Sequence, residues 1–216
     1  MNLVERYQEA IADVMKTVRE TQMDNIIKAG EIVAKAAESG KKVYLGKVVH
    51  YIEKDLIHRG GGPAFYKEYK PEETELSEGD VLFVSSVSGR TESIVNLAWD
   101  SMQKGVNVIA FTSMRYAAAV DPVHPSGKKL HEFVTLAIDN CAPPAEAMLE
   151  VEGIEARFAA ASGISSDYIM WSITSAAVEK MLADGYTPGI YKSINFPGGR
   201  EYNETVVKPN YEKNGY

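Results

Sequence analysis

Between residues 80 and 95 the chain reads DVLFVSSVSGRTESIV, and the groups able to do chemistry crowd into one turn. Val81 to Val84 is a continuous apolar run. Ser85, Ser86, Ser88, Gly89, Arg90 and Thr91 follow it, with Val87 the only apolar residue among them. Hydroxyls, a guanidinium and a glycine that lets a ligand approach the backbone together suit an oxyanion such as phosphate. A helix starting just after them would add unpaired N–H groups and the positive end of its dipole. Thr91 and Ser93 each suit a helix cap, so spacing alone explains the same residues equally well as a capped strand-to-helix turn without a ligand. Neither GxxxxGK[ST] nor GxGxxG occurs, which sets the turn apart from the nucleotide-binding loops.

The flanking pattern says what must position this turn. Val81–Val84 is expected to be a strand, and 93–103 a helix. After Gly105, residues 106–111 form the next strand, and 134–138 another. Earlier in the chain, 42–46 is a short buried strand, 51–59 a helix stopped by Gly60-Gly61-Gly62, and 64–66 a further strand. The apolar runs are short, do not alternate and are separated by helices, as in parallel strands covered on both faces. In such sheets ligands sit beyond the carboxyl ends of the strands, where residues 85–91 fall. Leu3, Tyr7, Ile11, Val14 and Val18 form one apolar stripe, so residues 1–38 are expected to be two helices, interrupted at Gly30, with Ile26, Ile27, Ile32 and Val33 in the second. A helix over 165–182 ends at Gly185. Residues 112–131 and 139–163 read as long loops of the kind that carry function, and 186–216 as a polar tail.

Composition narrows the field. The chain has 216 residues, 45% hydrophobic and 25% charged, which suits one folded domain. A formal net charge of −7 argues against a broad nucleic-acid footprint. Cys141 is the only cysteine, so no internal disulfide and no zinc set is expected. The amphipathic start MNLVERYQEA is unlike a signal peptide, and no apolar run reaches membrane-spanning length. A cytoplasmic, reduced protein with no membrane or nucleic-acid partner is expected.

Ser86-Val87-Ser88-Gly89-Arg90-Thr91 resembles the S-x-S-G-x-T phosphate loop of SIS (sugar isomerase) domains. GVNVIAFTS, HPSGKKLHEFVTLAIDNCAPPAEAMLEVEG and SINFPGG are similar to segments of the bacterial sugar-isomerase-domain, or phosphosugar-binding, proteins of that family. The resemblance implies an α/β fold with an open, mostly parallel five-stranded sheet in a flavodoxin-like three-layer arrangement. It implies a single SIS domain over 1–216, comprising N-terminal helices 1–40, an α/β core 41–185 and a tail 186–216. The N-terminal helices would pack at the interface of a homodimer or a tetramer. The ligand would be a phosphorylated sugar, held by Ser85, Ser86, Ser88, Gly89, Arg90 and Thr91. The activity would be aldose–ketose isomerisation without cofactor or metal, in which a carboxylate moves a proton between C1 and C2 and a histidine opens the ring.

The match with LEVEG selects Glu152 as the base, with Glu146, Glu150 and Asp139 as further acids. His50 and His124 are preferred over His58 for ring opening. Asn140 stands near the position where several SIS isomerases carry a glutamate, and Ser162 could add a hydroxyl contact. The chain departs from the family at its first loop, where G-x-G-x-S is replaced by Gly46-Lys47-Val48-Val49-His50. The serine is lost, and Lys47 or His50 could replace its contact. That loss leaves open a non-catalytic phosphosugar sensor or regulatory subunit. A sugar-phosphate lyase or deaminase remains a further alternative.

Overall fold

The computed structural model describes residues 1–46 and 48–215. Five parallel strands, β1 (Val43–Leu45), β2 (Tyr66–Glu68), β3 (Val81–Ser85), β4 (Asn107–Thr112) and β5 (Leu136–Asp139), form one sheet in the order β2-β1-β3-β4-β5. The central strand β3 is buried along its whole length, and its register with β4 sets Ser85 beside Phe111. Strand order reverses between β1 and β3, which is where a doubly wound sheet opens a crevice at its carboxyl edge.

Alternate residues of the strands feed two cores. On one face Val43, Leu45, Val81, Phe83, Ile109, Phe111 and Ile138 meet helices α1 (Leu3–Thr21), α2 (Met23–Glu38) and the long α5 (Ser162–Ala183). On the other face Leu82, Val84, Val108 and Ala110 meet α3 (Glu92–Gln103) and Leu130. The expected three layers are present.

Several boundaries differ from the sequence reading. The break between α1 and α2 falls at Gln22, not at Gly30. The Gln22 side chain explains it, since Oε1 accepts from Asp139 N at 3.1 Å and pins the break to the end of β5. Gly30 lies inside α2 for a packing reason. A Cβ there would stand 2.6 Å from Ala176 Cβ, so glycine is what lets α2 and α5 close on each other. The helix expected over 51–59 is a 3₁₀ segment, Val49–Asp55. The two long loops hold structure as well. A short helix α4 (Met114–Ala118) and a 3₁₀ turn (Leu130–Glu132) occupy the first. An antiparallel hairpin, β6 (Ala147–Leu149) with β7 (Phe158–Ala160), occupies the second. The polar tail is helical in α6 (Gly199–Tyr202) and α7 (Lys208–Asn214), joined by a π-helical turn, Asn203–Val207. No helix among the described residues is long and apolar enough to cross a membrane.

Candidate functional site

The turn after β3 is built by hydrogen bonds that leave its outer side open. Ser86 N donates to Phe111 O, Gly89 N to Ser86 O and Ser113 N to Val87 O. Thr112 Oγ1 donates to Ser86 O at 3.0 Å. Ser86 Oγ accepts from Thr91 N at 3.1 Å and donates to Thr91 Oγ1 at 2.9 Å, so the Ser86 side chain closes the turn. Thr91 occupies the N-cap position of α3 without a capping side-chain bond. Gly89 has φ +71° and is buried, with Thr112, Ala117 and His131 Nδ1 about a van der Waals contact from where a Cβ would stand. Only a residue tolerant of left-handed backbone fits there without strain. Among the described residues, Ser88 Oγ and the N–H groups of Ser88, Glu92 and Ser93 meet no partner. They are among the donors of this turn that a ligand could meet.

Ser85, Ser86, Val87, Ser88, Thr91 and Ser93 line a cleft of about 380 Å³ together with Val48, His50, Ile94, Tyr116 and Glu146. Opposite the turn stand His50, at the start of the 3₁₀ segment after β1, and Glu146, just before β6. Ser162, fully buried at the first position of α5, donates from Oγ to Glu146 Oε2 at 2.9 Å. His50 Nε2 lies 3.2 Å from the same Oε2 and 3.4 Å from Ser162 Oγ. One imidazole nitrogen faces both partners. A hydrolytic Ser-His-Glu relay instead needs serine on one ring nitrogen and the acid on the other, so the geometry suits proton transfer to a substrate. His50, Ala145 and Glu146 have φ of +54°, +58° and +67°. Three non-glycine residues in left-handed backbone at one point are the kind of strain that persists at functional sites.

The remaining residues singled out in the sequence lie elsewhere. Ser85 is buried at the end of β3 and lines the cleft, whereas Arg90 is half-buried in the turn and does not. Glu152 is exposed beyond β6, in a separate groove formed by residues 150–157, and does not face the phosphate turn. The hairpin carries 152 outward, whereas the turn at 145–146 folds back onto His50, so Glu146 is the acid of this segment that lines the cleft. His124 stacks on Trp99 at 5.6 Å and its Nδ1 meets Ser126 Oγ, also away from the cleft. Asn140 is buried and committed to the frame. Its Oδ1 accepts from Ala142 N and its Nδ2 donates to Ser166 Oγ. Ser162 touches Glu146 instead of presenting its hydroxyl to the cleft. Lys47 lies outside the described residues. Tyr116, which sequence reasoning passed over, lines the cleft from α4, just after β4, and only its place beyond a strand end could have pointed to it. No cluster of three or more His, Cys, Asp or Glu suited to a metal ion occurs among the described residues.

A parallel 2-1-3-4-5 sheet with a hydroxyl-rich turn at its carboxyl edge is the architecture of SIS-domain proteins, and the SIS domain model matches residues 63–113. The chain is 30% identical to a UPF0309 protein of Shouchella clausii, over 96% of each chain. It belongs to the UPF0309 family of SIS-domain proteins. Among solved structures it is similar to the NanR protein of Vibrio vulnificus, in complex with ManNAc-6P, at TM-score 0.55 and 13% identity, covering 84% of this chain and 64% of the other. It is also similar to a phosphoheptose isomerase from Francisella tularensis at TM-score 0.53 and 13% identity, covering 82% and 96%. At these identities the likeness shows the shared fold.

Proposed function

We propose that this chain is a cytoplasmic sugar-phosphate isomerase that acts as a single SIS domain in a homodimer or a dimer of dimers. The observation that carries the reading is that Glu146 and His50 face the Ser85–Thr91 turn across one cleft. The turn takes the phosphate through Ser88 Oγ and the open N–H groups, at the positive end of α3. With the phosphate fixed there, the carbon end of a monosaccharide phosphate extends toward Glu146. Glu146 removes the C2 proton as carboxylate, the electron pair moves into an enediol, and the same carboxyl returns the proton to C1. His50 moves the proton between the two substrate oxygens. The NanR protein bound to ManNAc-6P and the phosphoheptose isomerase are phosphosugar proteins of this fold, which supports the ligand class.

A second reading, a phosphosugar sensor, is favoured by the first loop, where Val48 and His50 line the cleft at the positions that carry the second glycine and the serine of the family's G-x-G-x-S. One experiment separates the two. A thermal-shift screen of sugar phosphates and their unphosphorylated parents identifies the ligand, and NMR in deuterated water then follows exchange of its C2 proton. The isomerase exchanges that proton, Glu146→Gln lowers the rate by about 10²–10⁴, and Glu152→Gln leaves it unchanged. Ser88→Ala weakens sugar-phosphate binding by about ten- to hundredfold in either reading. Absence of exchange on every tight-binding ligand would leave the sensor. Exchange lost in Glu152→Gln but kept in Glu146→Gln would return the base to Glu152.

A further inference from the structure

A groove of about 690 Å³ runs along the outer edge of the sheet at β2, two strands from β3 in sheet order, and shares no lining residue with the cleft at the turn after β3. Its walls include Tyr44, Tyr66, Tyr191 and Tyr211, with Lys67 between them. The sheet register explains how Lys67 reaches it. Tyr44 and Lys67 are paired across β1 and β2 and so point to the same face, the one that α3 covers over β3 and β4. The connection from β2 to β3 contains no helix, so α7 covers this face instead, with the Tyr211 ring 5.3 Å from Lys67 Nζ.

The charges in the groove are unevenly settled. Lys70 pairs with Glu73 at 3.1 Å and Lys208 with Glu204 at 3.7 Å. Glu68 borders the groove as well, but it follows Lys67 on the strand, where successive side chains alternate between faces, and forms no ion pair with it among the described residues. Lys67 pairs with no carboxylate among the described residues. It is half-buried, and its ammonium is held below the usual lysine range by burial and by the neighbouring Lys42. A partly desolvated cation without a counter-ion is unfavourable unless something else supplies the charge. A tyrosine face on the cation recovers only part of that cost. The wall at Asn203–Val207 is π-helical, a deviation found frequently at functional sites.

We propose that this groove is a second ligand site, for a small organic anion that carries a ring: an aromatic carboxylate or a phosphate monoester. Lys67 holds the anionic group, and the rings of Tyr44, Tyr191 and Tyr211 pack against the ligand's ring, whereas Tyr66 is buried beneath them with its hydroxyl on Thr174. The site is independent of the phosphate turn and does not rest on the isomerase reading.

Phenyl phosphate and benzoate are suitable probes, with benzyl alcohol as the uncharged control, in calorimetry and ligand-observed NMR. Binding should persist with unchanged Kd in the Ser88→Ala/Thr91→Ala double variant, which disables the phosphate turn. Lys67→Met keeps the side-chain stem and removes the charge, and should weaken both anions at least about tenfold. Tyr211→Leu should weaken them as well, and serves if Lys67→Met fails to fold. Benzyl alcohol should bind far more weakly than either anion. Anion binding that vanishes in the double variant, binding that is unchanged in Lys67→Met, or no saturable binding by wild type up to about 10 mM would overturn the proposal.

Discussion

His50 and Glu146 are 96 residues apart in the chain, yet His50 Nε2 lies 3.2 Å from Glu146 Oε2. The histidine comes from the segment after β1 and the glutamate from the turn before β6, and both reach the cleft in left-handed backbone. Ser162 holds the pair from beneath. Its Oγ donates to Oε2, and Ala161 N donates to Glu146 O at 3.1 Å, so the first turn of α5 fixes both the carboxyl group and its backbone. In the isomerase reading, Oε1 is the oxygen left for the substrate.

On the isomerase reading, Ser162 acts as a positioning residue. Ser162→Ala should lower kcat by about tenfold with little change in KM, since one hydrogen bond to a charged group is lost and the phosphate contacts are untouched. Ser162→Thr should restore part of the loss if the larger side chain keeps its hydroxyl on Oε2. Steady-state kinetics on the sugar phosphate chosen by thermal shift checks this. A fall in KM-dependent binding with kcat intact would instead make Ser162 a ligand contact.

Gly30→Ala should destabilise the fold by about 1–3 kcal/mol, the usual cost of overpacking a close contact. The new Cβ would stand 2.6 Å from Ala176 Cβ and 2.9 Å from Ala177 N, and the latter is backbone that cannot rotate away. Helix propensity alone would favour alanine, so the sign of the change in urea unfolding tests whether close α2–α5 packing governs this position.

Asp167 on α5 carries a carboxyl raised above its ordinary range, chiefly by burial and then by Asp55, with Arg59 acting in the other direction. Its Oδ1 is buried without a partner. A carboxyl that titrates higher in the folded state contributes stability fully below its unfolded value, and loses that contribution as pH rises through the folded one. Asp167→Asn should consequently match wild type near about pH 3 and be more stable at about pH 7. Thermal melts across that range check the prediction, and a variant less stable than wild type at neutral pH would refute it.

Burial, followed by the Asp139 carboxylate, pushes the Cys141 thiol up to about 11. At pH 8 the thiolate is then on the order of one part in a thousand. Native protein should resist iodoacetamide at pH 8 over a time in which urea-unfolded protein is alkylated completely, as mass spectrometry would read.

The local sequence determined most of the frame. Apolar runs such as Val81–Val84 and 106–111 are too short and too continuous for anything but buried parallel strands, because both faces of such strands meet helices. Ser86 to Thr91 carries its chemistry in consecutive residues, so its turn was legible as a motif. Gly30 was misread because a glycine that breaks a helix and one that admits a neighbouring helix look identical until Ala176 is beside it. Which glutamate lines the cleft was not legible for a related reason. Glu146, Glu150 and Glu152 are near neighbours in sequence, and only the hairpin β6–β7 and the backbone at 145–146 decide which one turns toward the cleft. His50 and Ser162 meet Glu146 through crossovers of the sheet that bring distant segments together, and no spacing in the chain encodes a contact of that kind.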